Sequence, residues 1–374
     1  MANNKKVLYV ASSFGHLASF HRPYLRWFAE QGCEVHAAAG GTPCDLAGVS
    51  RFIPLPFEKH MFSPRNLAAT LQLRQLIQRE HYDFISLHTS LAAFFVRLAL
   101  LMIRKSRPVV MNTAHGYLFD AKTPFIKRQL LLSAERLTAP VTDWLLTMNR
   151  QDEEIAHKYA LGKKICQTHG MGIDTAHYTP PDAVQKSQAR EQLGLKPSDT
   201  VLVYAAEFSG RKNQTTLIEA MPKLPADTIL LLPGRGDKLE DCKALADRLG
   251  VASRVRFPGF VQDMRTYYQA ADLCVSSSRS EGLPFNVMEA MACGLPVVAS
   301  DVKGHQDLVV PGVTGLLYPF GEAEAFADAV CRLDDVQRRQ TMGLAARQAV
   351  LPFAIQPVFE ELTGIYRTAA GLSE

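Results

Sequence analysis

The feature that most limits what this chain can fold into is a rhythm of short, unbroken apolar runs, each followed by a loop and a helix-forming segment. Val7–Ala11 stops at Ser12-Ser13-Phe14-Gly15, and helical patterning takes over across about residues 18–31. A run of this kind is too short for a buried helix and too uniformly apolar for a strand with one wet face. It reads as a strand covered on both sides, the hallmark of a parallel sheet. Val35–Ala39, Asp83–Leu87, Val109–Ala114 and Trp144–Met148 repeat the pattern, with a helix over Asn66–Arg79. Strand alternating with helix predicts an α/β domain.

The rhythm restarts after residue 180. Val201–Ala206, Thr228–Leu232, Val255–Phe257, Leu273–Ser276 and Pro296–Ala299 read as strands. Gln214–Met221, Leu239–Leu249, Met264–Ala271 and Asn286–Ala292 read as the helices between them. The Gly-, Pro- and Thr-rich stretch Gly170–Pro181 is the predicted hinge. The expected domains are therefore 1–170 and 171–352, both doubly wound and Rossmann-like, facing each other across a cleft. A final helix within about 353–374 is expected to pack back on the first domain. Ligands of open α/β sheets bind outside the carboxyl ends of the strands, so the search for chemistry starts there.

Composition narrows the class. Hydrophobic residues make up 47% and charged residues 21% of the 374, which excludes a disordered, collagen-like or disulfide-scaffold chain. The seven cysteines are scattered, with no C-x-x-C, and point to a reducing cytosol rather than to disulfides or zinc. The longest apolar stretch, Leu91–Ile103, is broken by Arg97 and is shorter than the roughly 20 residues a membrane-spanning helix needs. Charge is uneven: 21 basic against 12 acidic side chains in residues 1–165, and 20 against 25 in the rest. A basic first half suits an anionic partner or surface, or is simply a set of solvated faces.

Three segments carry candidate chemistry. In Ser280-Glu281-Gly282-Leu283-Pro284-Phe285-Asn286-Val287-Met288-Glu289, a loop meets a helix start near Pro284. Backbone amides at Leu283, Phe285 and Asn286 would make that helix start an anion site suited to pyrophosphate. Glu289, about a turn further on, could accept the paired hydroxyls of a ribose, and Glu281 a sugar hydroxyl. The alternative is two exposed glutamates around an ordinary helix start. In Ala206-Glu207-Phe208-Ser209-Gly210-Arg211-Lys212-Asn213, Arg211 and Lys212 follow a strand and are placed to neutralise phosphate, with Glu207 as a partner for Lys212. They could equally be two solvated bases. In the first half, His115 and Gly116 end a strand, and Gly15 and His16 lie in the loop after another. No G-x-x-x-x-G-K-[ST], D-x-D, H-E-x-x-H or G-x-S-x-G occurs, which argues against a P-loop ATPase, metal-bridged phosphate chemistry and a hydrolase elbow.

Together these segments resemble the family-4 retaining glycosyltransferases with the GT-B fold, including those of bacterial capsule and exopolysaccharide synthesis. Glu281 and Glu289 match the E-x7-E pair, followed by Gly294-Leu295-Pro296-Val297-Val298. Glu207 to Asn213 match the pyrophosphate loop, and Gly234 and Gly236 the paired glycines, with Arg235 where an acidic residue is usual. Val255–Gly259 and Ala271–Asp272 also fit, and Gly170-Met171-Gly172-Ile173-Asp174 resembles the interdomain segment.

The resemblance implies a donor-binding second domain and an acceptor-binding first one. Glu289 would hold the ribose, Arg211 and Lys212 the diphosphate, and Glu281 the donor sugar, with Glu207 and the backbone of Gly282, Leu283, Pro284, Phe285 and Asn286 alongside. The base would lie near Gly259 and Val261. His115 would touch the sugar from the first domain, with Gly15, His16 and Gly116 on the acceptor side. The expected reaction moves a hexose or N-acetylhexosamine from a nucleoside diphosphate, UDP by analogy, to a glycan or polyprenyl-diphosphate-linked acceptor, without metal or other cofactor and without nucleic acid. The mix of bases and bulky apolar residues in Lys122–Leu132, with Arg97, Arg104, Lys105 and Arg107, would meet anionic lipid at the inner face of the cell membrane, or belongs to helices packed on the first sheet with exposed lysines. A UDP-sugar epimerase and a non-catalytic nucleotide-sugar-binding subunit are the rival readings. The sugar, the linkage and the oligomeric state are not readable from sequence.

Overall fold

In the computed structural model, described for residues 5–58, 60–103, 107–120 and 123–373, the chain divides into two compact units. The first runs to Met171 and resumes at Gln356; the second is Gly172–Ile355.

The first unit holds seven strands among the described residues: β1 (Lys6–Val10), β2 (Glu34–Ala39), β3 (Arg51–Pro54), β4 (Phe84–His88), β5 (Val109–Ala114), β6 (Trp144–Thr147) and β7 (Lys164–Gln167). They form one sheet in the order β3-β2-β1-β4-β5-β6-β7, with every pairing parallel. β1 is central, and Val7, Leu8, Tyr9 and Val10 are entirely buried, as strands covered by helices on both faces must be. The chain builds outward from β1 first to one side and then to the other. The loops leaving β1 and β4 therefore diverge, and the crevice they open at the carboxyl ends is the usual ligand position.

The second unit repeats the plan with β8 (Thr200–Val203), β9 (Thr228–Leu231), β10 (Val255–Arg256), β11 (Leu273–Ser276), β12 (Val297–Ser300) and β13 (Gly315–Tyr318). The order β10-β9-β8-β11-β12-β13, again all parallel, puts its switch point between β8 and β11. At the opposite, amino end of this sheet Asp272 accepts from Arg190 Nη2 (2.6 Å), Lys186 Nζ (2.7 Å) and the Val201 amide (2.8 Å). That network ties the start of β8 to the segment entering β11, so Asp272 has a structural task.

Four differences from the sequence expectation, one in a helix and three in strands, have physical causes. The helix expected over 18–31 is two helices, Phe14–Phe20 and Arg22–Glu30, with His21 between them. Pro23 has no amide proton to continue the first helix, but suits the first turn of a second one. The strands β3, β7 and β13 were not predicted. They lie at sheet edges; β3 and β7 are only half-buried and lack an apolar run, and β13 opens on Gly315, where a Cβ would lie 2.0 Å from the Val297 carbonyl oxygen.

The last helix, Ile355–Ala370, carries Tyr366 into an aromatic cluster with Phe28 (ring centroids 5.2 Å apart), Phe84 (6.1 Å) and Tyr9 (6.2 Å) of the first sheet and its helices. Phe359 stacks on Tyr24 at 5.6 Å. These rings account for the last helix belonging to the first unit. No helix among the described residues is long and apolar enough to cross a membrane.

Candidate active site

In the second unit the switch point gathers one charged cluster. The loop leaving β8 is closed by the Lys212 and Asn213 amides donating to the Ser209 carbonyl, 3.1 and 3.0 Å, and ends with Asn213 in the left-handed region at φ 52°. It is joined to the loop leaving β11: the Arg279 amide donates to the Arg211 carbonyl (2.8 Å), and Ser277 Oγ to the Lys212 carbonyl (2.9 Å). Lys212 Nζ thereby reaches Glu281 Oε1 at 2.6 Å, and Arg211 Nη1 reaches Glu281 Oε2 at 3.1 Å. Ser278 Oγ donates to the same carboxylate and is held by Tyr204 Oη at 2.7 Å.

Glu281 and Lys212 are nearly sealed, with 8% and 12% of their side chains exposed, whereas Arg211 is 50% exposed. Burial alone pushes the Glu281 carboxyl up, but Lys212 and then Arg211 outweigh it and hold Glu281 below its ordinary value. The expected pairing of Lys212 with Glu207 is not what forms. Glu207 is exposed, its backbone carbonyl accepts from Gln214 Nε2 at 2.9 Å, and Glu281 takes the lysine instead.

From Glu281 the chain turns through Gly282, Leu283 and Pro284 into the helix Phe285–Ala292, whose start carries no side-chain cap. Asn286 Nδ2 in its first turn is buried with no hydrogen-bond partner among the described residues. Glu289, half-buried on this helix, accepts from Tyr268 Oη at 3.0 Å. Burial pushes its carboxyl up to about 7, and the Tyr268 hydrogen bond only partly opposes that. Two carboxylates eight residues apart thus sit in opposite electrostatic states.

The paired glycines have a steric reason. A Cβ at Gly234 would lie 1.9 Å from the Ala206 carbonyl oxygen, and one at Gly236 2.3 Å from that of Phe208, so the loops after β8 and β9 pass in contact. The Gly234 amide donates to the Gly259 carbonyl at 2.8 Å, which brings Gly259 and Val261 beside the same loops. Between them Phe260 is 63% exposed under the Arg235 guanidinium, 5.4 Å from the ring centroid.

The first unit gathers histidines. His16 lies on the helix after β1, capped by Ser13, and His115 follows β5 ahead of Gly116 at φ 120°. Their ring centroids are 5.3 Å apart. Burial, followed by the neighbouring His16, pushes His115 down to about 3, which keeps its imidazole neutral. Two further members were missed by sequence reasoning: His21, at the break between the two helices, and His88, the last residue of β4. His88 Nε2 lies 2.9 Å from Ser86 Oγ, and His88 Nδ1 lies 3.4 Å from His115 Nε2. The signal for His88 was its place directly after the apolar run of β4, at the switch point.

The expected lipid-facing bases are only partly available. Arg97 is fully buried, bonded to Glu135 Oε2 at 2.9 Å, and Arg107 pairs with Asp143 at 2.8 Å, so neither faces a lipid. Arg104, Lys105 and Lys122 lie outside the described residues. On the helix Phe125–Thr138, Phe125, Ile126, Leu130 and Leu137 are 55–83% exposed, next to the exposed Lys127 and Arg136.

Residues 185–349 match the family profile "Glycosyl transferases group 1", and residues 24–177 match "Glycosyltransferase Family 4". A Bacillus subtilis protein named as a glycosyltransferase, EpsD, is 34% identical over 97% of this chain and 96% of its own length. The Escherichia coli UDP-Gal:alpha-D-GlcNAc-diphosphoundecaprenol alpha-1,3-galactosyltransferase is 25% identical over 77% of this chain and 75% of its own. Among solved structures, Anabaena HepE in complex with UDP superposes with a TM-score of 0.78 at 21% identity, over 97% of this chain and all of that one. The sucrose-phosphate synthase of Thermosynechococcus elongatus gives 0.81 at 23%, over 99% of this chain and all of that one.

Proposed function

Because the chain belongs to the family-4 glycosyltransferases of the GT-B fold and is a glycosyltransferase, we propose that it transfers a hexose or N-acetylhexosamine from a UDP-sugar, with retention, to a glycan or polyprenyl-diphosphate-linked acceptor in surface polysaccharide synthesis. The observation that carries this reading is the convergence of Lys212 and Arg211 on one carboxylate beside an uncapped helix start. Nucleoside diphosphate departure builds negative charge on phosphate oxygens. Two fixed cations and helix amides meet that charge without reorganising, the most effective kind of transition-state stabilisation, and need no metal.

In the proposed step the bond from the anomeric carbon to the β-phosphate oxygen breaks, and its electron pair goes to the phosphate. The acceptor hydroxyl bonds to the same face of the sugar and gives its proton to the departing oxygen. Lys212 and Arg211 hold the diphosphate, and Glu281 holds Lys212 in place and accepts from a donor-sugar hydroxyl. Glu289 takes the ribose hydroxyls, Phe260 with Gly259 and Val261 flanks the base, and neutral His115 hydrogen-bonds the sugar. The relatives support the choice of partners: one is named for a UDP-sugar donor and a diphosphoundecaprenol acceptor, and another was solved with UDP. The exposed apolar and basic residues of Phe125–Thr138 suit a lipid-borne acceptor at the inner membrane face.

The test is a matrix of radiolabelled UDP-hexoses and UDP-N-acetylhexosamines against undecaprenyl-diphosphate-linked mono- and disaccharides, scored by lipid-linked product and by its anomeric configuration. A retained linkage with stoichiometric UDP release is expected. Conversion of the donor into another nucleotide sugar without acceptor would mark an epimerase. Donor binding with neither transfer nor hydrolysis would mark a non-catalytic subunit.

A further inference from the structure

The histidines of the first unit are arranged for a task that hydrogen bonding to a sugar does not require. His21 is completely buried, and among the described residues neither of its ring nitrogens has a hydrogen-bond partner; His16 Nε2 is buried and unpartnered among them as well. A buried polar atom without a partner is destabilising, and two on one ring is a cost that a core leucine at this position would avoid. One nitrogen from each of His16, His21 and His115 lies within 4.8 Å of one from each of the others.

The rings themselves converge. The centroids of His16 and His21 are 5.3 Å apart, those of His16 and His115 5.3 Å, and those of His21 and His115 6.1 Å. Three imidazoles bound tetrahedrally at about 2.0–2.1 Å have ring centroids roughly 3.2 Å from the metal, and hence about 5.2 Å from one another. The observed triangle needs only small ring adjustments to reach that shape. His88 completes the arrangement. It lies 3.4 Å from one nitrogen of His115 and is itself anchored on Ser86, the kind of outer partner that fixes the tautomer and aim of a ligating histidine.

We propose that His16, His21 and His115 form a binding site for a borderline divalent cation of the zinc class, oriented by His88 and leaving one coordination position open. An all-imidazole donor set suits zinc, and also its neighbours cobalt, nickel and copper, while a hard cation such as magnesium or calcium requires oxygen ligands. The sequence does not reveal the set because only His16 and His21 are neighbours in the chain, five residues apart on the helix after β1 and at its C-terminal end, while His115 joins them from the end of β5. One consequence rests on the functional reading above: a cation held by His115 withdraws that residue from the donor sugar, so the site would act as a metal-operated brake.

The experiment uses the tag-free full chain, stripped of metal, with zinc chloride titrated against a chromogenic chelator. One zinc per chain is expected, with affinity lowered at least about tenfold in His21→Gln and in His16→Gln, each checked for folding by circular dichroism. Cobalt in place of zinc should give the intense visible bands of tetrahedral nitrogen coordination, without the near-ultraviolet charge transfer that cysteine ligands produce. Absence of binding in the wild type, affinity unchanged in both variants, or a thiolate spectrum would overturn the site. Transfer should fall in step with zinc occupancy. Zinc bound at the histidines with transfer unaffected would uphold the site and instead overturn the role given to His115.

Discussion

The two switch points solve opposite problems with polar side chains buried at the end of a parallel sheet. In the second unit the buried charges are compensated: Glu281 has Lys212, Arg211 and Ser278, and its carboxyl stays ionised despite being sealed. At the switch point of the first unit the buried histidines have no such counter-charge. Burial drives His21 and His88 well below the usual imidazole range and His115 down to about 3, leaving neutral rings, and on His21 both nitrogens lack partners. A site that must grip a departing diphosphate keeps its cations in place beforehand. A site that keeps lone pairs free is prepared to receive something.

The largest effect should come from breaking the compensated side. Lys212→Ala leaves Glu281 buried with only the half-exposed Arg211 as counter-ion, and removal of one member of a sealed pair typically costs about 3–5 kcal/mol. Stability measured by chemical denaturation should drop by that amount at pH 8 and recover in part as pH falls, because burial would then dominate the Glu281 carboxyl and favour its protonated form. Transfer should fall at least about a hundredfold, mainly in kcat, as expected on losing a group aimed at developing charge. Arg211→Ala should cost about 1 kcal/mol or less in stability, since that side chain is half in water.

Glu289 lies between the two extremes: a half-buried carboxylate with a single hydrogen-bond donor among the described residues, Tyr268, pushed up to about 7. The folded protein holds its proton more tightly than the unfolded chain does. Its contribution to stability is therefore greatest below about pH 4.5 and is lost as pH rises to about 7. The full linkage is about 3 kcal/mol at one pKa unit per 1.36 kcal/mol. Glu289→Gln should remove that pH dependence and stabilise the protein above pH 7 in thermal melts. In the same variant UDP affinity by calorimetry should fall about tenfold, the loss of roughly one charge-assisted hydrogen bond. Wild-type UDP affinity should rise with pH through the same range, because ribose hydroxyls donate to the ionised carboxyl.

How much of this was legible in the sequence depends on whether a feature is local. The alternating architecture, Arg211, Lys212, the helix start at Pro284 and the place of Glu289 all follow from segments read alone. Partnerships did not. Lys212 was paired with Glu207, five residues away, because proximity in the chain was the only proximity available. The true partner, Glu281, is 69 residues away and is delivered by β8 and β11 lying side by side in the sheet. The histidine group was divided for the same reason. His16, His88 and His115 meet because β1, β4 and β5 are neighbours, which only the strand order reveals. Arg97 misled in the opposite direction. A basic residue in an apolar run suggested a lipid-facing charge, whereas Glu135 on another helix allows it to be buried.

The uncompensated side should respond to substitution with the opposite sign. His21→Leu replaces a ring whose two nitrogens are buried without partners, and apolar replacement of such a group is neutral or stabilising. Metal-free protein carrying it should melt at the same temperature as wild type or a few degrees higher, a gain of about 1 kcal/mol. A large loss of stability would mean that the imidazole is held by contacts of its own, and the contrast between the two switch points would fail.

The smallest expected effect is also the most specific. Tyr268→Phe deletes the hydroxyl that donates to Glu289 at 3.0 Å and leaves the fully buried ring in place, so packing is conserved. Without that donor the ionised carboxyl loses the leading influence that favours it against burial, and the midpoint for UDP binding should move upward, by less than about one pH unit for a bond of about 1 kcal/mol. Affinity well above the midpoint should change little. An unshifted midpoint would mean that Glu289 is not the group whose ionisation the nucleotide senses, and the pH dependence would have to be sought at Glu281. There compensation by Lys212 places the transition below the ordinary carboxylate range, far enough from neutrality for the two carboxylates to be told apart in a single titration.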